Sequence, residues 1–373
     1  MRLFRVKGNA LRSLLFKSRM LLGTGGINKF FVWEYTMKRF ACIKALATYL
    51  PDPIELNSGL GDERFISKLG IRSRHVAADD QSAGDLAFES ARILFDRHDV
   101  DRQSIDFILL CTQHPDYQMP TTACQLQSRL GLRQSIGALD YNLGCSGYVY
   151  GLALAKGLIE GGLASNVLLL TSSIYNKYIN VGDRAIRPLF GDGATASLIS
   201  AVDGERPMLD AFVFGTDGDR FDSIYIPVGG SRNMPRDNPE QLERDEHGNV
   251  HSNYEVHMDG MAVTYFTYRT VPRMVEEILS KAQLERDDID HYIFHQANRF
   301  VMERVQKKCR LDGRPFYNDI EELGNTVSGT VPFGIVHVLS RRPAHELKRV
   351  MLCGFGVGLS WCGCLADLSA IDR

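Results

Sequence analysis

The sequence has almost no net charge: 43 Lys and Arg stand against 45 Asp and Glu in 373 residues, a formal charge of −2. Without a basic excess, nucleic acid and anionic membrane surfaces are not expected partners. No stretch approaches the roughly 20 apolar residues that a membrane-spanning helix needs, so no membrane span is expected. None of the eight cysteines, Cys42, Cys111, Cys124, Cys145, Cys309, Cys353, Cys362 and Cys364, falls in the paired spacing of a zinc site. Cys362-Gly-Cys364 is too tight and lies in a strand-like segment. No metal is expected, and thiols without a disulfide framework point to a reducing, cytoplasmic compartment. Acid is missing from the N-terminus: seven Arg and Lys precede Glu34, the first acidic residue. The short apolar runs of 1–36 are broken by charge and show no clear cleavage site, so this segment reads as an upstream extension rather than a targeting signal.

What is present is ordinary for a soluble globular chain, with 44% hydrophobic and 24% charged residues, and it echoes itself. VDRQSIDFIL at 100–109 is matched by LERDDIDHYI at 284–293, each after an amphipathic helix and each running into an apolar strand. The first strand leads to Cys111-Thr112-Gln113, the second to His295-Gln296. LGCSG at 143–147 is matched by LGNTVSG at 323–329, and NVLLLTSS at 166–173 by RVMLCGFG at 349–356. The order and the offset, near 180 residues, are kept throughout. Apolar strands alternating with helices imply βαβ units in buried, largely parallel sheets. A tandem duplication predicts an α/β fold of two similar halves, 37–205 and 206–373, whose equivalent loops meet near a pseudo-twofold axis. Cys145, His295 and Asn325 can then share one site. The polar region 229–254 reads as a long surface loop or lid.

Cys145 stands in a Gly-Cys-Ser-Gly turn between a strand-like segment and an apolar helix. A thiol at a helix N-terminus is expected to favour the thiolate, the nucleophilic form. Gly144 and Gly147 allow a tight turn. His295 lies where an apolar strand ends, the side on which ligand clefts open in parallel sheets. Asn325 lies in a Gly-rich turn before a helix. Cys42, Cys111, Cys124 and Cys309 lack such a setting and read as structural.

The strings LGCSG, HQAN and GNTVSGTVP, in this order, resemble the β-ketoacyl-[acyl carrier protein] synthase III family. FGDGATASLI (190–199), MDGMAV (258–263), GFGVGLSW (354–361) and GIRSRHVA (70–77) resemble further motifs of that family, and the likeness spans about Lys38 to Leu368. It implies a thiolase-like fold in αβαβα layers and an acyltransferase without a permanently bound cofactor. Cys145 would take an acyl group from acyl-CoA or an acyl carrier protein. Decarboxylation of a phosphopantetheine-linked malonyl unit on a carrier protein would then supply the carbanion that attacks it. His295 and Asn325 would donate N–H groups to the malonyl thioester oxygen, and the N–H groups of Cys145 and Val357 would form the oxyanion hole. Arg184 matches a cation that contacts CoA. Arg64 and Lys68 stand where the family carries a tryptophan and an arginine, and Ala297 and Asn298 of HQAN border the pantetheine. The family's basic residue after HQAN falls on Phe300, beside Arg299. Met119 is expected to close the acyl pocket of the partner subunit in a homodimer. The rival readings are a non-decarboxylating acyltransferase of the same fold, a thiolase using Cys353 as a second cysteine, and a non-catalytic partner subunit. Fatty-acid initiation and a specialised biosynthetic route both fit.

Overall fold

The computed structural model describes residues 38–60, 62–246 and 248–372; the extension 1–36 lies outside them. The first half holds helices α1 (Glu63–Leu69), α2 (Ala83–His98), α3 (Thr122–Arg129) and α4 (Gly147–Glu160). Its sheet runs, in spatial order, Lys38–Tyr49, Gly193–Gly204, Asn166–Ser173, Phe107–Cys111 and Gly137–Tyr141. Phe107–Cys111 is parallel to both of its neighbours, and the other two pairings are antiparallel. The second half holds α5 (Gly260–Ala282), α6 (Arg299–Lys308) and α7 (Thr330–Arg341). Its sheet runs His291–Phe294, Val350–Gly356, Ser360–Ala366 and Leu209–Thr216, with one parallel pairing followed by two antiparallel ones.

The order of the second sheet repeats that of the first, as the duplicated sequence predicts. The equivalent of the edge strand Gly137–Tyr141 is reduced to a single parallel bridge between Tyr292 and Phe316. Apolar faces dictate the layering. Tyr148, Val149 and Leu152 of α4 and Val331, Ile335 and Val338 of α7 share one core cluster with Ile43 and Leu109 of the first sheet and Ile293 and Leu352 of the second. The two helices are therefore buried between the sheets. Helices α2 and α3 cover the outer face of the first sheet, and α5 and α6 that of the second. The result is the five-layered αβαβα thiolase-like arrangement.

Several family-like strings have local structural reasons. Ser82 and Asp85 form a reciprocal capping box at the start of α2. Asp259 of MDGMAV accepts the N–H groups of Met261 and Ala262 at the start of α5. Arg74 of GIRSRHVA is fully buried; it pairs with Glu55 at 2.8 Å and donates to Asn57, Asn176 and the Phe190 carbonyl. The expected loop 229–254 differs from the prediction in part: it carries a short hairpin of Leu242–Arg244 and Val250–Ser252. Leu242–Arg244 is wholly exposed, so no buried face leaves an alternating pattern in the sequence.

Candidate active site

Cys145 occupies the turn between the strand Gly137–Tyr141 and α4, just ahead of Ser146, the N-cap of α4. The strand Val350–Gly356 passes directly over it. A methyl group at Gly354 would lie 2.6 Å from the Cys145 carbonyl oxygen, and one at Gly356 would lie 2.7 Å from Cys145 Sγ. Only glycine permits this approach, which is the physical reason for the GFG string. The peptide of Val357 follows at once. Ser360 donates its hydroxyl to the Val357 carbonyl at 2.9 Å, and Ser146 hydrogen-bonds Ser360 at 2.7 Å. These hydroxyls fix the peptide whose neighbouring N–H faces the thiol.

The expected thiolate is not what the site favours at rest. Burial pushes the Cys145 thiol up to about 12, although the N–H groups of Val357 and of Cys145 itself pull it down. Cys145 is only 7% exposed, and the helix terminus does not replace the lost water. The two opposing groups are the ones expected to form the oxyanion hole. With the thiol pushed that high, alkylation of Cys145 by iodoacetamide should rise about tenfold per pH unit from pH 7 to 9, without a plateau. Peptide mapping against the exposed thiol of Cys124 measures this. A plateau below pH 9 would mean that the helix terminus and the N–H groups outweigh burial.

His295 is 2% exposed and follows the strand His291–Phe294. Its backbone N–H donates to the Cys353 carbonyl at 2.7 Å, and its ring meets Phe355 edge-on with centroids 5.5 Å apart. Burial pushes its imidazole down to about 3, against an upward pull from the Val327 carbonyl. At neutral pH the ring is uncharged. Its Nδ1 lies 2.8 Å from Thr330 Oγ1, and Thr330 also reaches the Val327 carbonyl at 3.0 Å.

Asn325 is 6% exposed. Its backbone is bridged to the first half: its N–H donates to the Leu189 carbonyl at 2.8 Å, and its carbonyl accepts from Gly191. Its side-chain Oδ1 accepts the Val327 N–H at 2.9 Å. That bond orients the amide and leaves the Nδ2 donors for another acceptor. Val327 has a φ of +56°, an uncommon conformation for a β-branched residue. It is held on both sides, by Asn325 and by Thr330.

One knot of contacts joins the three residues. The strand Val350–Gly356 touches both Cys145 and His295; Thr330 and Val327 link His295 to Asn325; Val327 shares an apolar cluster with Cys145. Neither Thr330 nor Ser360 was singled out in the sequence, although both stand inside quoted motifs. Nothing in the sequence marks a hydroxyl that acts by orienting a neighbour.

The other expected residues lie further out. Arg64 and Lys68 are exposed on α1, and Arg184 is exposed on the loop between Ile179 and Ile186. That loop and α1 pack into the apolar cluster that contains Cys145. Asn298 accepts the Val301 N–H and caps α6, so its Oδ1 is engaged in holding the helix. Arg299 reaches over Gly70, the C-cap of α1. Arg304, one turn on from Phe300, holds its guanidinium 4.4 Å from the Phe300 ring centroid. Met119 is 83% exposed and stands apart from its own chain's Cys145 cluster. Cys353 is fully buried in a different cluster, among Met274, Ile278 and Phe355, which removes the sulfur that a thiolase reading needs at Cys145. Among the described residues no group of three or more His, Cys, Asp or Glu is placed to hold a metal ion, and no helix is long and apolar enough to cross a membrane.

Comparison with known proteins bears on this arrangement. Residues 139–218 match the family described as 3-oxoacyl-[acyl-carrier-protein] synthase III, and residues 279–368 match its C-terminal part. A β-ketoacyl-[acyl-carrier-protein] synthase III of Caldanaerobacter subterraneus subsp. tengcongensis is 32% identical over 86% of this chain and 96% of its own length. A crystal structure of a 3-oxoacyl-(acyl-carrier-protein) synthase III superposes with a TM-score of 0.84 at 42% identity, covering 88% of this chain and 99% of that one. The 3-oxoacyl-(acyl-carrier protein) synthase of Burkholderia xenovorans LB400 superposes with a TM-score of 0.80 at 31% identity, covering 90% and 97%.

Proposed function

From the premise that this chain belongs to the β-ketoacyl-[acyl-carrier-protein] synthase III family, we propose that it loads an acyl group on Cys145 and condenses it with malonyl-carrier protein. The enzyme is an acyltransferase of the condensing type. The observation that carries the assignment of roles is that His295 packs on the glycine strand that covers Cys145, while Thr330 and Val327 tie it to Asn325. The Asn325 amide is fixed through its oxygen, and the imidazole is held neutral by burial.

In the loading step, Cys145 sulfur forms a bond to the acyl carbonyl carbon and the bond from that carbon to the donor's sulfur breaks. The thiol proton passes to the departing pantetheine thiolate. The N–H groups of Cys145 and Val357 receive the developing oxyanion. In the second step the malonyl unit loses CO₂, and Asn325 Nδ2 and His295 Nε2 donate to the thioester oxygen on which enolate charge develops. The enolate carbon then bonds to the acyl-Cys145 carbonyl carbon, the bond from that carbon to Cys145 sulfur breaks, and the β-ketoacyl product leaves on the carrier while the Cys145 thiolate takes a proton from solvent. For His295 to donate from Nε2, Thr330 must turn its hydroxyl proton toward Nδ1. The reaction uses no resident cofactor: acyl-CoA or an acyl carrier protein brings the primer, and phosphopantetheine carries the malonyl unit. Arg64, Lys68 and Arg184, with Ala297 and Asn298, border the entry for that arm. Release of CO₂ from malonyl-carrier protein tests the reading; acyl transfer to an alcohol or amine without CO₂ release would replace it with the non-decarboxylating alternative. The eight free cysteines fit a reducing compartment, and we place the enzyme in the cytoplasm. We keep 37–205 and 206–373 as its two halves.

We assign the enzyme a homodimer in which Met119 of one subunit closes the acyl pocket of the other. Gly137–Tyr141 is an edge strand of its sheet, with Leu139 exposed on it. An open apolar edge of this kind is normally covered. Met119→Gly should admit longer or branched primers and Met119→Trp should restrict loading to short ones, with little change in malonyl decarboxylation. A competition assay across acyl lengths, beside light scattering, measures both claims. An unchanged length profile in both variants, or an active monomer, would reduce Met119 to a loop residue.

A further inference from the structure

We propose that the acyl pocket beside Cys145 takes a short acyl group bearing a hydrogen-bonding oxygen, a hydroxyacyl or oxoacyl unit, and that Gln113 and Tyr175 recognise that oxygen. The inference rests on Cys145 being the acyl-carrying residue. Gln113 ends the first of the two echoing strand segments, where His295 lies near the end of the second, and the reaction as described gives it no task. Its side chain lies against the nucleophile's turn: a methyl group at Gly144 would fall 2.7 Å from Gln113 Oε1 and 2.3 Å from Val357 Cγ1. Gln113 therefore borders the same turn as the two N–H groups that face the thiol.

Tyr175 donates its hydroxyl to Gln113 Oε1 at 2.6 Å. Its ring is buried in the cluster that contains Cys145 and stacks on Phe190 with centroids 4.7 Å apart. The rest of that cluster is aliphatic or nearly so, with Leu69, Ile71, Ile179, Ile186 and Leu189. A phenol and an amide in such a wall are costly unless their polar atoms are bonded. The hydroxyl proton and Oε1 satisfy each other. The Gln113 Nε2 donors have no partner among the described residues. His114 repeats the pattern: its ring meets Tyr175 edge-on at 4.8 Å, and its Nδ1 is buried with no hydrogen-bond partner among the described residues.

An alkyl primer entering this space would expel water and leave the amide donors dry. An oxygen on the chain would accept from Nε2 and leave nothing unbonded. A site with a hydrogen-bond donor already in place discriminates against the analogue that lacks the acceptor, because the donor is then buried without a partner. No redox or further covalent step is involved; only the choice of primer is affected.

The test compares butyryl with 3-hydroxybutyryl and 4-hydroxybutyryl groups on the full-length enzyme, each offered as the CoA thioester and on a carrier protein. The readout is the initial rate of Cys145 acylation by mass spectrometry. Wild type should load one of the hydroxyacyl groups about tenfold faster than butyryl, the discrimination expected of one neutral hydrogen bond. Gln113→Leu should bring the ratio to one or below by speeding butyryl loading. Tyr175→Phe keeps the ring and removes the hydroxyl that orients the amide, and it should narrow the ratio. Wild type loading butyryl as fast as, or faster than, both hydroxyacyl groups would overturn the proposal. So would variants that slow every primer by the same factor. No loading of Cys145 from any donor would instead sink the nucleophile assignment, and this inference with it.

Discussion

Cys145→Ala should give no acyl-enzyme with any donor and should lower condensation by at least about 10³-fold. The substitution removes the sulfur and little else. Cys145 is buried under Gly354 and Gly356, so an alanine fits without a clash. The N–H groups of residue 145 and Val357 stay where they are, fixed through Ser360 and Ser146. An oxyanion hole without a nucleophile cannot hold a covalent acyl group. Cys111 does not substitute for it. Its thiol donates to the Leu143 carbonyl at 3.0 Å and burial pushes it up to about 12. The variant should still decarboxylate malonyl-carrier protein, because His295 and Asn325 are untouched. Intact-mass measurement after incubation with acyl-CoA and with acyl-carrier protein decides the first point. A stable adduct on the alanine variant would move the nucleophile to another residue.

Much of the fold was legible because burial imposes a pattern on sequence. FILLC and NVLLLTSS are continuous apolar runs because both faces of their sheet are covered. The duplicated half repeats those runs in the same order. The reduced fifth strand of the second sheet was not legible, since the single bridge of Phe316 to Tyr292 leaves no run to read. The catalytic candidates were legible for a different reason: Cys145 and His295 follow strands, and Asn325 lies in a Gly-rich turn ahead of α7. Protonation was not. The thiolate expected at a helix N-terminus is opposed by burial, and burial belongs to the assembled layers rather than to the local string. The same holds for Tyr175, which reads as one aromatic residue in a loop until the fold places it on Gln113.

His295→Ala and Asn325→Ala should each lower malonyl decarboxylation by roughly 10²–10³-fold, the usual loss when one oxyanion donor is removed, while Cys145 is still acylated. The enolate oxygen needs donors that are aimed before the charge appears. Asn325 meets that condition because its Oδ1 is tied to the Val327 N–H at 2.9 Å. His295 meets it only in one tautomer. With burial holding the ring neutral, down to about 3, a single proton must sit on Nε2, and Nδ1 must accept from Thr330. Thr330→Val keeps the shape and removes the hydroxyl. The Nδ1 proton then has the Val327 carbonyl as its acceptor, and Nε2 loses its own. Decarboxylation should fall in Thr330→Val nearly as far as in His295→Ala, with the rate of Cys145 alkylation unchanged. The pH profile makes a separate demand. A group whose pKa lies near 3 does not titrate between pH 5.5 and 8, so decarboxylation by the wild type should be flat there. A limb near 6.5 would mean that the imidazole carries charge in the working enzyme. Equal loss of loading and decarboxylation in both alanine variants would mean that His295 and Asn325 serve the whole site rather than the enolate.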